Sequence, residues 1–175
     1  MRGTILVICA MLLCAGVTTE GQDKSKTISL KGVERIGVVF DYSEITIEGY
    51  TLDTWLEIRQ AEQPEYNALD EWENELKPAV RGKVIKYVNE KIMKKGAHLV
   101  EADDTDYVLT VKPTTVKKKG NNFCRVILSN KDGSETMEFE VNGSGGMIGT
   151  MANLWGDGFE NTGNSIGRRL KKLFK

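Results

Sequence analysis

The chain holds one histidine, His98, and that single residue narrows the chemistry open to it. A histidine dyad or a His-rich metal site is excluded. A Ser-His-Asp triad would have to rest on His98, and no serine sits in the strand–turn–helix context that exposes a nucleophile. Placed after Gly96-Ala97 at the start of an apolar run, His98 reads as a structural or surface residue. Acid is densest at Glu101, Asp103, Asp104 and Asp106. Hard cations favour such oxygen-rich stretches, but this one lacks the regular ligand spacing and central glycine of an EF-hand and reads as a solvated turn. Glycoside hydrolysis needs two carboxyl groups facing each other across roughly 5 to 9.5 Å. With 25 Asp and Glu, the sequence does not single out such a pair.

Gly143-Ser144-Gly145-Gly146-Met147-Ile148-Gly149 has the look of a phosphate-binding loop. No Gly-Lys-Ser/Thr follows, the third glycine of the dinucleotide pattern is displaced, and the loop comes after antiparallel strands rather than inside a βαβ unit. A nucleotide site is therefore not expected, nor any other cofactor or metal. The same loop has a second property. Met147, Ile148, Met151, Leu154 and Trp155 are apolar and set among glycines. They either pack over the sheet or form an adhesive segment, and they are the partner-binding candidates of the chain.

These residues must be positioned by a fold, and the leader has first to be set aside. Arg2, the apolar run Ile5–Leu13 and the small residues after it read as a secretory signal peptide over residues 1–21, too short to span a bilayer. Cleavage before Val17 or before Gln22 fits, and lipidation at Cys14 is the alternative, although Leu13 is larger than a lipobox prefers. The chain is thus expected to be exported, to the periplasm or beyond. Residues 22–175 are the length of one domain. Cys9 and Cys14 fall in the leader, so Cys124 is left alone and no internal disulfide can form. Between Phe123 and Val126, it reads as a small buried hydrophobe. A net charge of −1 argues against nucleic acid as partner.

A long amphipathic helix is expected from Tyr66 to Lys95. Leu69, Trp72, Leu76, Val80, Val84, Val88 and Ile92 form its stripe, with acids early and lysines late to complement the macrodipole. Pro78 sits inside it, so the helix should kink or divide at Lys77–Pro78, with the apolar phase running through. Pro64 should open it, and Gly96 should end it in a left-handed residue. Before it lie a nearly continuous apolar strand, Ile36–Phe40, of the kind covered on both faces, the alternating pair Ile45 and Ile47, and a short helix Leu52–Gln60 capped by Thr51. After it come His98–Val100, then strands containing Tyr107–Val111, Phe123–Ser129 and Glu135–Val141, the last two joined by the hairpin signal Asn130-Lys131-Asp132-Gly133. Pro113 calls for an edge or a bulge. A closing helix is expected from about Gly158 to Leu173. The fold class is α+β: a mixed, mostly antiparallel sheet of about five strands, packed on one face by the long helix and the C-terminal helix.

The order leader, Ile36-Gly37-Val38-Val39-Phe40-Asp41-Tyr42-Ser43, long helix, Ala102–Leu109 entering a hairpin, glycine-rich segment and closing Gly167–Leu173 resembles an uncharacterised group of secreted proteins from Bacteroidota-type bacteria. Its Asp106-Tyr107-Val108-Leu109 strand entry is also similar to the small α/β domains of envelope proteins, namely the N-terminal domain of the Tol–Pal translocation protein and the lipoprotein activators of peptidoglycan synthases. The resemblance implies a binding or assembly role in the envelope and carries over no catalytic residue. The expected function is a secreted non-catalytic module that binds another envelope protein or envelope component. A carboxylate-dependent hydrolase of cell-wall glycans, and a membrane-associating protein using residues 143–155, are the alternatives.

Overall fold

The computed structural model describes residues 28–102 and 104–175. The signal-peptide and Cys14 readings, and Asp103, lie outside the described residues. Seven strands form one mixed sheet: β1 (Arg35–Phe40), β2 (Thr46–Ile47), β3 (Tyr50–Thr51), β4 (His98–Glu101), β5 (Tyr107–Val116), β6 (Asn122–Asn130) and β7 (Thr136–Gly143). Two of them, β2 and β3, are only two residues long, so the sheet has the expected five full rows with a small hairpin added. Strand β5 is the axis. It pairs antiparallel with β6, which pairs with β7. Its other edge is shared by β1 below and β2 above, both parallel to it, and β4 lies outside β1, also parallel. The sheet is therefore more parallel than the hairpin pattern indicated.

The change from β1 to β2 along β5 accounts for Pro113. β1 stops opposite Val111 and β2 begins opposite Thr115, so Lys112–Thr114 has no strand partner on that side. The β5–β6 register shifts at the same place, between Pro113 and Thr115. A proline is tolerated where a ladder is already interrupted.

Gly37 has a different explanation. Ala102 and Thr105, between β4 and β5, lie over the face of β1. A Cβ on Gly37 would lie 2.6 Å from Thr105 Oγ1 and 3.1 Å from Ala102 Cα, and the Gly37 amide donates to Thr105 Oγ1 at 3.2 Å. The reading of β1 as covered on both faces is corrected. Only this contact covers its outer side, and Val39 beyond it is 38% exposed.

All helices lie on the other face. They are α1 (Leu52–Glu62), α2 (Ala68–Glu71), α3 (Lys77–Ile92) and α4 (Met151–Lys171). Thr51 caps α1, accepting from the Thr54 amide, as its position before the apolar run required. Pro64 lies in the turn between α1 and α2 rather than in a helix. Asn67 caps α2 instead, and the long helix begins at Ala68. A π-type turn, Trp72–Leu76, joins α2 to α3, and the Lys77 amide bonds five residues back to Trp72 O. Such a turn accommodates Pro78 without ending the rod, because the wider coil lets the ring clear the preceding turn. It also adds a residue to the coil, so the apolar phase does slip. Trp72, Leu76, Val80, Val84, Val88 and Ile92 are buried, but upstream Ala68 takes the inward place and Leu69 is 56% exposed. Gly96, at φ +82°, ends the 3₁₀ turn Met93–Lys95 as expected.

Helix α4 begins seven residues before the expected Gly158, capped by Thr150. Its glycines are places of close approach. Gly163 abuts Val84 O and Gly167 abuts the Val88 Cα, so α3 and α4 run parallel and near enough that side chains would not fit between them. One hydrophobic cluster joins the sheet (Ile36, Leu109, Val126, Leu128) to α3 (Val80, Val84, Val88) and α4 (Phe159, Ile166, Leu170).

Candidate functional site

Strands β5 and β7 both finish, and β6 begins, at one end of the sheet, here called the upper end. Four chain segments meet there: the β2–β3 hairpin, α1, the turn 117–121 and the start of α4. The hairpin turns on Glu48 (φ +54°) and Gly49 (φ +90°), the left-handed pair that a two-residue hairpin loop requires. A glutamate is strained in that region. It is held by its neighbour: the Glu48 amide donates to Val116 O at 2.9 Å, and its carboxylate accepts the Lys118 amide at 2.6 Å.

Turn 117–121 is fastened to α4 by a buried polar knot. Asn122 is 1% exposed and Thr162 is fully buried. The Thr162 hydroxyl donates to Asn122 Oδ1 at 2.7 Å, and Asn122 Nδ2 donates to Gly120 O at 3.0 Å. Buried polar groups cost stability unless paired, so this small network fixes where the helix sits on the sheet. The glycine-rich loop is tied down in its first half. Gly145 donates its amide to Asn121 Oδ1 at 2.7 Å, Asn161 Nδ2 donates to Ser144 O at 2.9 Å, and the Gly146 amide donates to Leu154 O at 3.2 Å.

Between these supports lies a cavity of about 220 Å³. Ile47, Tyr50, Trp55, Ile58, Met151 and Trp155 line it, with Glu48, Arg59, Glu62 and Lys118 as its charged members. Its floor belongs to a row of aromatics. Trp55 and Trp72 each lie 6.3 Å from the Trp155 ring, and Tyr42 lies 5.3 Å beyond Trp72. Trp155 is fully buried, and its indole nitrogen has no hydrogen-bond partner among the described residues. Arg59 is fixed beside the cavity by a two-pronged ion pair to the buried Glu71, at 3.0 and 3.2 Å, and that partner raises its pKa. A larger groove of about 700 Å³ runs between α1 and α2 past Leu56, Pro64 and Leu69, but it is open and shallow.

The five candidates of the glycine-rich segment divide. Met147 and Ile148, at the loop tip, are 86% and 89% exposed. Met151 and Leu154 are half-buried. Trp155 is core and so takes the packed of the two readings open for the segment: it starts the inward face of a helix that the sequence pattern began too late. Sequence reasoning missed Trp55, Ile47 and Arg59 as neighbours of this segment. Each lies far from it along the chain, and no local signal joins them.

The other candidates do not assemble. His98 is exposed at the opposite end of the sheet. Glu101 pairs with Arg81 and Asp104 with Lys131. Burial pushes the Cys124 thiol up to about 12. No group of three His, Cys, Asp or Glu placed to hold a metal occurs among the described residues, and none of their helices is long and apolar enough to cross a membrane.

Comparison with known proteins returns no matching family model and no matching curated sequence. Solved structures that match include the following two. One is an uncharacterised protein, 11% identical with a TM-score of 0.37, covering 78% of this chain and 89% of that one. The other is a Xanthomonas campestris protein of the family DUF330, 10% identical with a TM-score of 0.34, covering 78% and 84%.

Proposed function

We propose that the chain is an exported, non-catalytic binding module of the cell envelope, a member of an uncharacterised group of secreted proteins, and that it holds another envelope protein by the upper end of its sheet. The observation that carries this reading is where apolar side chains are left in water. Of the seven large hydrophobic residues exposed among the described residues, Tyr50, Met147 and Ile148 sit on the helix side of that end, and Phe123 sits at the same end on the outer face of the sheet. Exposed apolar groups scattered singly need no explanation, but a gathered set marks an interaction surface. The loop that displays Met147 and Ile148 is braced before them at residues 144–146 and is followed by the Thr150 cap of α4, which limits the ordering cost of binding. The cavity beside it has the volume of one or two large side chains. It suits an apolar anchor of the partner.

Photo-crosslinking in cells that make the protein tests the reading. With benzoylphenylalanine at position 148 a discrete adduct with one envelope protein is expected. With the same group at Val39, on the outer sheet face, none is expected. Equal, diffuse labelling from both positions would remove the proposal. Adducts with lipid alone from position 148 would favour the membrane-associating alternative.

A further inference from the structure

We propose a second docking surface at the lower end, where α3 and α4 terminate side by side, and that its partner is an anionic lipid bilayer. Because the two helices are parallel, their negative dipole ends lie together. Lys94, Lys95, Arg168, Lys171, Lys172 and Lys175 crowd the same place, and all six are exposed. None of the six has an ion-pair partner among the described residues. In the stretches 86–95 and 164–175 the one acid is Glu90.

Complementing the helix ends does not account for this many cations. A helix C-terminus carries about half a negative charge, so two of them ask for roughly one cation between them. The surplus is unpaired positive charge on the helix layer. On the sheet side of the same end acids and bases are mixed, with Glu34, Asp104 and Asp106 beside Lys31 and Arg35, so the unpaired positive charge is greatest on the helix layer. A near-neutral total charge hides this segregation. The charges alone would suit any polyanion. Met93 decides between them: it is 65% exposed in the 3₁₀ turn next to Lys94 and Lys95. Leu173 and Phe174 are half-buried among the basic residues of the C-terminal end. Apolar tips within a basic surface fit the headgroup boundary of a bilayer, where lysines meet phosphate and the tip enters the acyl region. Stacking on nucleic-acid bases would call for exposed aromatic rings, and the two aromatic residues of these stretches, Tyr87 and Phe174, are both half-buried.

Vesicle co-sedimentation tests the proposal on the chain begun at Gln22, which keeps every residue of the described core. Vesicles mixing phosphatidylglycerol with phosphatidylcholine should carry the protein down, and phosphatidylcholine vesicles should not. Each basic residue near an anionic leaflet strengthens attachment by about fivefold, so K94Q/K95Q and K171Q/K172Q should each weaken it by about thirtyfold. If either pair lowers the melting temperature, the single variants K95Q and K172Q carry the same test at about fivefold. Met93→Ser should weaken vesicle binding and leave retention on double-stranded DNA unchanged. Equal sedimentation with both vesicle types, none with either, or retention by DNA without vesicle binding would overturn the proposal.

Discussion

At the upper end of the sheet, backbone meets backbone. A Cβ on Gly158 would stand 2.0 Å from Gly120 O, and one on Gly143 would stand 2.0 Å from Gly158 O. Asn122, Thr162 and Trp155 fill what space remains. At the lower end, the helices finish in long, solvated lysines and arginines that touch little. Both ends carry a proposed binding surface. The upper one depends on packing that admits almost no substitution, whereas the lower one is a charge distribution that many sequences would satisfy. The lesson is that exposed residues at the upper end are displayed by a rigid support, while those at the lower end act as a sum.

The largest expected effect is at Trp155. Truncating a fully buried tryptophan costs about 3–5 kcal/mol, so Trp155→Ala should lower the denaturant midpoint sharply. Met147→Ser with Ile148→Ser, only a few residues away, should change stability by less than about 0.5 kcal/mol. Equal effects of the two would erase the division between support and display. Gly158→Ala comes next. Alanine is favoured over glycine in a helix by about 1 kcal/mol, but the backbone carbonyl of Gly120 occupies the place of the methyl group, and overpacking costs about 1–3 kcal/mol. A net loss is expected in urea unfolding. A gain would mean that turn 117–121 gives way easily.

Thr162→Val tests the knot alone, because it keeps the volume and removes the hydroxyl. Asn122 Oδ1 would then lose its short donor in the interior, at a cost of about 1–3 kcal/mol. Cys124 reports on the same region by pH. Burial raises its pKa in the folded state to about 12, above that of an unfolded thiol. The stability it contributes is therefore whole below the unfolded pKa and lost as pH rises from about 8.5 toward the folded value. In a thiol-exchange assay the native protein should react at its opening rate, and Thr162→Val should speed that reaction. Fast labelling of the unmodified protein would show the upper end to be loose.

How far the sequence disclosed these two ends follows from the range of the signals. The lower end was legible, because lysines and arginines at helix termini are local in the chain. Only the parallel pairing of α3 with α4, which brings them together, was not. The stripe from Trp72 to Ile92 was legible by its period. Leu69 was misplaced because the π turn before Pro78 adds a residue, and periodicity carries no mark of that. The upper end was the hardest to read. Gly156 and Gly158 have the composition of a loop, yet they are helical residues, and Gly158 is kept small by the Gly120 backbone. The cavity draws on the hairpin, α1, Lys118 and α4, and no pattern within any one segment points to the others.

The smallest effect belongs to the lysines. Replacing Lys94, Lys95, Lys171 and Lys172 by glutamine sets two terms against each other. Losing cations at helix C-termini costs about 0.3–1 kcal/mol at each terminus in low salt. Separating like charges that parallel helices have crowded together gains a comparable amount. The net should stay within about 1 kcal/mol, and screening should erase it at 1 M salt, where the Debye length is about 3 Å. Urea unfolding at low and high salt measures both. A destabilised variant whose deficit disappears with salt means that the helix dipoles dominate. A stabilised one means that the cations repel each other in the free protein, as a surface held ready for an external anion would. A deficit of several kcal/mol that salt leaves untouched would mean that these side chains pack as the upper end does, and the contrast between the two ends would be lost.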